Sequence, residues 1–263
     1  MIADDQRKTI GLMTLLRVLW RSFFIQAANN YQRMQSVGFA FCMTPALRRL
    51  YQGDDLKAAL ARHLEFFNSH PYMAGALLGA SIRFEEEIAR GEREASDVQN
   101  FKRFMQGPMA AIGDCFFWSS LRPFIAAWAV MGVLSGLWWA PVGFILLFNA
   151  CHLGLRAYGL FVGYHDGEQV CEKINRLALV RFSERTHWLA AIFLGASAAI
   201  FADRAAESAA PLSDSLEPFM LLALTLIFLL GIKRGIPMIG LLYGAALVTT
   251  ILVIYLNTFF PLA

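Results

Sequence analysis

The longest uncharged stretch of the chain runs from Pro123 to Leu155 and contains 33 residues without Asp, Glu, Lys or Arg. A helix needs only about 20 apolar residues to cross the hydrocarbon core of a bilayer. Within the stretch, "SGLWWAPVG" (135–143) surrounds Trp138 and Trp139 with two glycines and a proline. Glycine and proline favour turns, and tryptophan favours the lipid–water boundary. The sequence therefore predicts two short membrane spans, or a re-entrant pair, joined at these tryptophans.

The composition of the whole chain supports a membrane protein. Of its 263 residues 57% are hydrophobic, and the mean hydropathy is +0.48, which is too apolar for one or two ordinary soluble domains. We therefore expect the chain to lie in a lipid bilayer. The net charge is only +3, so the overall balance gives no argument for nucleic-acid binding.

The charge pattern divides the chain between residues 122 and 123. Residues 1–122 carry 15 Lys or Arg and 12 Asp or Glu among apolar residues at helical spacing, which is typical of amphipathic helices. One such helix is expected to end at Pro71, and the charged segment Ile82–Val98 is expected to face water.

Residues 123–263 form the predicted transmembrane helical region. Beyond the longest stretch they contain three further uncharged stretches: Thr186–Ala202, Pro218–Ile232 and Gly235–Ala263. The first two are short for lipid-exposed spans. The predicted fold is an all-α integral membrane protein, with an amphipathic N-terminal helical half followed by short, broken and re-entrant transmembrane helices.

The basic residues of the loops predict the orientation of the chain. Residues 156–185 contain five basic residues, whereas residues 203–217 contain one base and four acids. Because Lys and Arg accumulate on the cytoplasmic side of a membrane, the first loop is predicted to be inside and the second outside. The N-terminal segment does not have the pattern of a cleaved secretory signal. We expect a cytoplasmic N-terminus and an even number of crossings before Arg156.

No arrangement typical of an enzyme occurs in the sequence. It has no GxSxG, P-loop or HExxH motif, and its five histidines are scattered. The four cysteines form no CxxC pair, so apolar packing is expected for them rather than metal binding. We expect no catalytic residue, no metal and no cofactor. The histidines are expected to be helix-surface or boundary residues, and His152 alone lies inside the longest uncharged stretch, where an ionisable side chain is also a functional hypothesis.

Four segments place polar side chains beside aromatic rings: "NNYQRMQ" (29–35), "FFNSHPY" (66–72), "FEEE" (84–87) and "GPMAAIGDCFFWSSLRPF" (107–124). Amides and carboxylates bind hydroxyl groups, and aromatic rings pack on C–H faces, so the pattern favours a sugar ligand. Structural alternatives are an interfacial helix for the first segment, a solvated helix start for "FEEE", and a helix cap for Asp114.

Longer motifs occur in a specific order. They are "RSFFIQAANNYQRMQSVGFAFCMTPALRRLY" (21–51), "RHLEFFNSHPY" (62–72), "FEEE", "GPMAAIGDCFFWSSLRP" (107–123) and "LFNACHLGLRAYGLFVGYHDG" (147–167). Together these motifs resemble the IID membrane component of the mannose/fructose/sorbose family of the bacterial phosphoenolpyruvate-dependent sugar phosphotransferase system.

The resemblance implies a transport subunit in the bacterial cytoplasmic (inner) membrane. Family members pair with a homologous IIC membrane component, form trimers of IIC–IID pairs, and carry a mannose-type hexose inward. The soluble IIA and IIB components pass phosphate to the sugar, and IID itself carries no phosphorylated or catalytic residue. The sugar would bind between broken helices near the middle of the membrane. The alternative is a non-transporting scaffold or regulator of phosphotransferase components.

The matching family motifs give pathway or site-shaping roles to seven residues: Asn30, Arg33, Asn68, Glu85, Glu86, Asp114 and Trp118. A helix break at Gly107, Pro108 and Gly113 would let the Asp114 carboxylate reach a new helix end or sugar hydroxyls. Phe117 and Trp118 would supply an apolar face to the sugar.

Overall fold

The computed structural model of the protein describes residues 9–208 and 217–259, and the regular structure within these ranges is entirely helical. The α-helices are α1 (Leu12–Ser22), α2 (Ser36–Leu50), α3 (Gly53–His63), α4 (Ala74–Arg90), α5 (Ala95–Gly113), α6 (Arg122–Leu134), α7 (Ala140–Asp166), α8 (Val170–Arg176), α9 (Leu179–Ser208), α10 (Glu217–Lys233) and α11 (Met238–Phe259). A π-helix (Asp114–Leu121) joins α5 to α6, and a 3₁₀ turn (Gly167–Gln169) joins α7 to α8.

Two helical stretches of the described residues are long and apolar enough to cross a bilayer. They are Ala95–Leu134, with 40 residues, and Ala140–Phe201, with 62 residues. The all-α membrane fold predicted from the sequence is confirmed. The chain forms two compact units that divide after Ile200, whereas its composition changes between residues 122 and 123.

The predicted turn at the paired tryptophans is confirmed. Helix α6 ends at Leu134 and α7 begins at Ala140. Gly136 has a φ of +87°, a left-handed conformation that glycine adopts at no steric cost. Pro141 lies in the first turn of α7, where a helix does not need the backbone N–H that proline lacks.

The predicted helix break at Gly107, Pro108 and Gly113 is wrong. Helix α5 continues through the first two residues and passes at Gly113, with φ −65° and ψ −44°, directly into the π-helix. The reason for glycine at position 113 is packing, because a Cβ there would lie 2.8 Å from the imidazole Nδ1 of His70. The glycine therefore makes room for a ring and does not interrupt the helix.

The predicted end of the amphipathic helix at Pro71 is also wrong. Helix α3 ends at His63, because the following residues bond to another segment instead of continuing the helix. The backbone N–H of Phe67 donates to the Arg33 carbonyl oxygen at 3.4 Å, and the Gln35 N–H donates to the Phe67 carbonyl oxygen at 2.8 Å.

Helices α4 and α7 pack at very short range through glycines on both helices: Gly75, Gly79, Gly159 and Gly163. A Cβ at Gly79 would overlap the carbonyl oxygen of Leu160, and a Cβ at Gly163 would lie 2.5 Å from the carbonyl oxygen of Ala76. The two glycines of each helix are four residues apart and therefore share a face. Small residues at this spacing let two helix backbones touch, as in pairs of membrane helices.

Along the α4–α7 contact, residues with higher numbers in α4 meet residues with higher numbers in α7. Gly75 meets the backbone of Arg156, and Gly79 meets Leu160 and the backbone nitrogen of Tyr164. Helices α4 and α7 are therefore parallel, and their C-terminal ends lie together.

In the second unit, α10 and α11 are joined by a short turn that contains Arg234. Gly235 in this turn has a φ of +78°. Residues 203–217 are predicted from the sequence to form an outer loop. The first six of them, 203–208, are instead the last residues of α9. Residues 209–216 of that predicted loop lie outside the described residues.

Replacing Gly79 by Ala should lower the thermal unfolding midpoint of the purified protein in detergent. The new Cβ would press on the Leu160 backbone, and overpacking of this kind costs about 1–3 kcal/mol. The matched control is Gly154→Ala in α7, because a Cβ at Gly154 would have no described neighbour within 4 Å beyond its own helix backbone. That variant should be neutral or slightly stabilising through helix propensity. Equal midpoints for the two variants would contradict the packing assigned to Gly79.

Candidate functional site

The two polar segments "NNYQRMQ" and "FFNSHPY" lie side by side. Besides the backbone bonds between Arg33, Gln35 and Phe67, the Gln35 side chain donates to the Ser69 carbonyl oxygen at 2.8 Å and accepts from the Ser69 N–H at 3.3 Å. The first segment is a turn between α1 and α2. The alternative of an interfacial helix for this segment is therefore wrong.

A cleft of about 550 Å³ opens beside these paired segments. Its wall is formed by Gln32, Arg33, Ala61, Glu65, Phe66, Gln99, Lys102, Arg103 and Gln106. We call this the basic cleft. Three of the seven predicted residues lie at or near it. Arg33 lines the cleft, the Asn30 side chain accepts a hydrogen bond from the Arg33 N–H at 2.8 Å, and the Asn68 N–H donates to the Gln106 side chain at 2.9 Å.

Glu85 lies in a buried ion pair behind the cleft. Both of its carboxylate oxygens accept from Arg62 at 2.6 Å, and Tyr51 Oη and His63 Nε2 lie 2.8 and 2.9 Å away. Its side chain is fully buried, so the expectation that Ile82–Val98 faces water is wrong at this position. Helix α3 supplies Arg62 and His63, and the residue after α2, Tyr51, completes the set of partners that makes burial possible.

The pKa values of this pair reflect its burial and its hydrogen bonds. Burial opposes ionisation of Glu85, but the hydrogen bonds from Arg62 and His63 outweigh it and lower the Glu85 pKa from 4.5 to about 2. Burial lowers the pKa of His63 to about 4. Glu85 is therefore a carboxylate at neutral pH, and His63 is a neutral imidazole that hydrogen-bonds to it.

Glu86 takes part in a separate buried contact. Its carboxylate accepts from Arg90 at 2.5 Å and from the Tyr164 hydroxyl at 2.7 Å. The second bond ties α4 to α7 near their C-terminal ends. Neither Glu85 nor Glu86 belongs to a solvated helix start, because both lie in the last third of α4 and are buried.

A second region combines aromatic rings with imidazoles at the N-terminal end of α4. We call it the aromatic cluster, formed by His70, Tyr72, Phe117, Trp118, Phe148 and His152. The His70 ring stacks on Phe117 at a centroid distance of 5.1 Å, and the Tyr72 ring stacks on His152 at 4.4 Å. The loop after α3, the π-helix and α7 thus meet in one place.

Three polar nitrogens in or beside this cluster are buried without a hydrogen-bond partner among the described residues. They are Nε2 of His70, Nδ1 of His152 and Nε of Arg156. The Arg156 guanidinium lies between the rings of Phe23, at 4.8 Å, and Tyr72, at 5.5 Å. Buried polar groups normally have partners, so unpartnered ones mark a place where a ligand could bind.

Asp114 and Trp118 lie on the π-helix at the edge of the cluster. Trp118 is 39% exposed, and its ring centroid is 5.3 Å from that of His70. Asp114 is exposed, and no side-chain cap bond forms at the start of the π-helix. The alternative of a helix cap for Asp114 is therefore wrong, because the backbone is continuous helix on both sides.

The structure brings the predicted residues together in three places. These are the basic cleft with Asn30, Arg33 and Asn68, the buried contacts of Glu85 and Glu86, and the edge of the aromatic cluster with Asp114 and Trp118. Sequence reasoning assigned no role to Tyr72 or Arg156. Tyr72 lay within a motif already noted, whereas Arg156 was counted as a loop residue although its side chain is buried. An arginine next to a long apolar run is the signal that could have identified it.

Replacing Glu85 by Gln should lower the thermal unfolding midpoint strongly at neutral pH. The change leaves the Arg62 guanidinium without its counter-charge, and removing one partner of a buried pair costs about 3–5 kcal/mol. Asp54→Asn is the control, since it breaks a solvent-exposed pair with Lys57 and should leave the midpoint nearly unchanged.

The effect of Glu85 should also depend on pH. Its folded pKa of about 2 lies below the ordinary value of 4.5, so the ionised group stabilises the fold above about pH 4.5 and loses this effect as the pH falls toward 2. Unfolding midpoints of the wild type and the Glu85→Gln variant should therefore converge over this range. A constant difference would contradict the assigned ion pair.

Comparison with known proteins gives consistent matches. The profile of the "PTS system mannose/fructose/sorbose family IID component" matches residues 10–258. The mannose-specific EIID component of Escherichia coli K12 is 37% identical over 182 residues, which make up 68% of this chain and 64% of that protein. The fructose permease IID component of Bacillus subtilis strain 168 is 30% identical over 194 residues, or 73% of this chain and 70% of that protein.

Two solved structures have a similar fold. A cryoEM structure of the mannose transporter ManYZ with microcin E492 contains a chain with a TM-score of 0.59 and 35% identity, covering 72% of this chain and 70% of that chain. A second structure of a membrane protein gives a TM-score of 0.64 at the same identity and coverage. With a family profile that matches nearly its whole length, the chain belongs to the IID components of the mannose/fructose/sorbose family of phosphotransferase systems.

Proposed function

We propose that this chain is the membrane subunit that works with a IIC partner to translocate a mannose-type hexose inward, while a IIB partner phosphorylates the sugar. IIA supplies phosphate to IIB, and no phosphate is carried by this chain. The complex lies in the bacterial inner membrane as a trimer of IIC–IID pairs, and the N-terminus of this chain is cytoplasmic.

The aromatic cluster is the observation that carries this proposal. A hexose has C–H faces that pack on rings such as Phe117 and Trp118, and hydroxyl groups that bind imidazole and guanidinium nitrogens. The three unpartnered nitrogens beside these rings would gain partners from such a ligand. They are closed to solvent in this conformation, so the sugar requires the cluster to open, as alternating access does.

The depth of the cluster fits a translocation path. Helices α4 and α7 are parallel, and the four basic residues that follow α7 up to residue 185, Lys173, Arg176, Arg181 and Arg185, favour a cytoplasmic position for their C-terminal ends. His152 precedes Tyr164 by 12 residues, a distance of about 18 Å along a helix. The cluster then lies near the middle of a hydrocarbon core about 30 Å thick.

The seven predicted residues take three roles in this proposal. Asp114 and Trp118 form the exposed edge where sugar meets the cluster. Asn30, Arg33 and Asn68 lie in or beside the basic cleft. Glu85 and Glu86 act as site-shaping residues, because their contacts hold the cleft wall and the C-terminal ends of α4 and α7 in place.

An apolar surface on α6 and α7 suits a neighbouring membrane subunit or lipid. It lines an open groove of about 540 Å³ whose wall is Ala126, Ala129, Val130, Val133, Leu134, Pro141, Phe144 and Ile145. Exposed apolar surface of this kind is stable only in contact with lipid or protein. The IIC partner is the occupant that a two-subunit transporter supplies.

Replacing Trp118 by Leu should reduce uptake of labelled mannose by cells that carry the complete phosphotransferase complex. The variant removes a ring on which the sugar packs, and loss of such stacking typically costs about 1–3 kcal/mol of binding. Trp138→Leu is the matched control, since Trp138 is 84% exposed in the turn between α6 and α7 and should leave uptake unchanged. Copurification of IIC with each variant verifies assembly.

Replacing Asp114 by Ala should abolish hexose uptake while the complex still assembles. Asp114 is exposed on a continuous helix, so its removal leaves the packing intact and takes away only a hydrogen-bonding group on the sugar path. Uptake at the wild-type rate would show that the role given to Asp114 is wrong. Partner binding without any sugar flux in the wild type would favour the scaffold function instead.

A further inference from the structure

The basic cleft has a charge composition that a neutral sugar does not require. Of its nine lining residues, three are cationic, Arg33, Lys102 and Arg103, and one, Glu65, is a carboxylate. Glu65 already accepts a hydrogen bond from the Gln99 side chain at 2.6 Å. The cleft therefore presents a net positive surface to whatever enters it.

Most of the donor capacity of these cations is unused within the described residues. Lys102 is 3% exposed, and its ammonium donates at 2.8 Å to the Arg62 carbonyl oxygen, which occupies one of its three protons. Arg33 donates from Nη1 to the Leu64 carbonyl oxygen at 3.3 Å. Arg103 is exposed, and no ion pair of this arginine is found in the described part of the chain. The charges of Glu65 and Glu85 reach this ammonium, but both carboxylates already accept hydrogen bonds from other side chains. An anion in the cleft would bind the remaining protons of Lys102, whose burial is costly without partners.

The rest of the wall is suited to a polyhydroxylated molecule. The amides of Gln32, Gln99 and Gln106 offer donors and acceptors for hydroxyl groups, and Phe66 is 52% exposed and presents an apolar ring. A volume of about 550 Å³ is within the range of small-molecule sites, roughly 300–1,000 Å³.

We infer that the basic cleft binds a hexose phosphate. Its phosphate, with a charge of about −1.5 to −2 at neutral pH, pairs with Arg33, Lys102 and Arg103. Its hydroxyl groups bind the glutamine amides, and its C–H face packs on Phe66. An inorganic anion would satisfy only the cations, and a neutral hexose would satisfy only the amides and the ring.

The position of the cleft agrees with a site for the phosphorylated product, and this step rests on the proposed function. The Gln106 side-chain oxygen accepts a hydrogen bond from the Asn68 N–H, and the Gln106 backbone carbonyl oxygen accepts one from the Ser69 hydroxyl at 3.0 Å. The next residue, His70, stacks on Phe117 in the aromatic cluster. The loop after α3 thus lies between the two sites, and the cleft is at the cytoplasmic end, where the sugar receives its phosphate.

The test measures binding to the purified IIC–IID complex in neutral detergent by calorimetry, with mannose 6-phosphate, mannose and inorganic phosphate as probes. Mannose 6-phosphate should bind more tightly than inorganic phosphate, and its affinity should fall as salt rises. Arg103→Gln should weaken mannose 6-phosphate binding on the order of tenfold, the value of one charge-assisted hydrogen bond. Mannose binding should not change, and Arg103→Lys should restore part of the loss.

The matched control is Arg176→Gln, because Arg176 is an exposed arginine outside the cleft that pairs with Glu172. It should leave mannose 6-phosphate binding unchanged. The inference is overturned if Arg103→Gln has no effect, if inorganic phosphate binds as tightly as the hexose phosphate, or if anionic lipid in nanodiscs displaces the hexose phosphate from the cleft.

The outcome separates this inference from the proposed function. A complex that transports mannose but does not bind mannose 6-phosphate would overturn the cleft inference alone. A complex that binds mannose 6-phosphate through Arg103 but shows no hexose uptake would support the cleft and overturn the transport function.

Discussion

The close contact between α4 and α7 is the interaction on which the rest of the structure depends. Helix α7 belongs to a stretch long and apolar enough to cross a bilayer. A helix in lipid is held to its neighbours mainly by tight van der Waals packing, because lipid tails are as apolar as its side chains. Gly79 and Gly163 provide that packing by letting backbone touch backbone. A pair of polar side chains lies near each end of this contact. The rings of Tyr72 and His152 stack at one end, and the Tyr164 hydroxyl donates to Glu86 at the other.

The two ends differ in how completely their polar groups are paired. Near the C-terminal end of α4, Glu85 has Arg62, His63 and Tyr51 as partners, so its charge is compensated and the local structure is fixed. At the other end, His70 and Arg156 keep buried nitrogens that lack partners within the described residues. A buried network that is only partly satisfied costs free energy. Its presence beside stacked rings agrees with the proposed function, in which a sugar completes the network.

The fold class and the turn at Trp138 could be predicted because membrane length, turn residues and loop charge are properties of a continuous segment. The burial of Glu85 could not, because its partners come from α3 and from Tyr51 after α2, and the local sequence resembles a solvated helix. Gly113 was interpreted as a helix breaker, although its role depends on a ring from a distant loop. The glycines of α4 and α7 were visible as small residues four apart, and that spacing could have predicted the helix pair. For the site, the sequence singled out the polar segments but could not show that 29–35 pairs with 66–72.

The aromatic cluster and the basic cleft suit molecules of different charge, and this difference gives the proposed transport a direction. A neutral hexose can pass among Tyr72, Phe117 and Phe148, because its hydroxyl groups need only a few partners in an apolar surrounding. In the proposed transport a phosphate dianion is less favoured on that route than the neutral sugar, because Arg156 offers it one guanidinium beside Tyr72, whereas the basic cleft is lined by three cations. Arg33, Lys102 and Arg103 lie on the cytoplasmic side in the proposed orientation, where they stabilise the same charge that excludes the product from the cluster. In the proposed transport, phosphorylation thus changes which of the two sites the sugar favours.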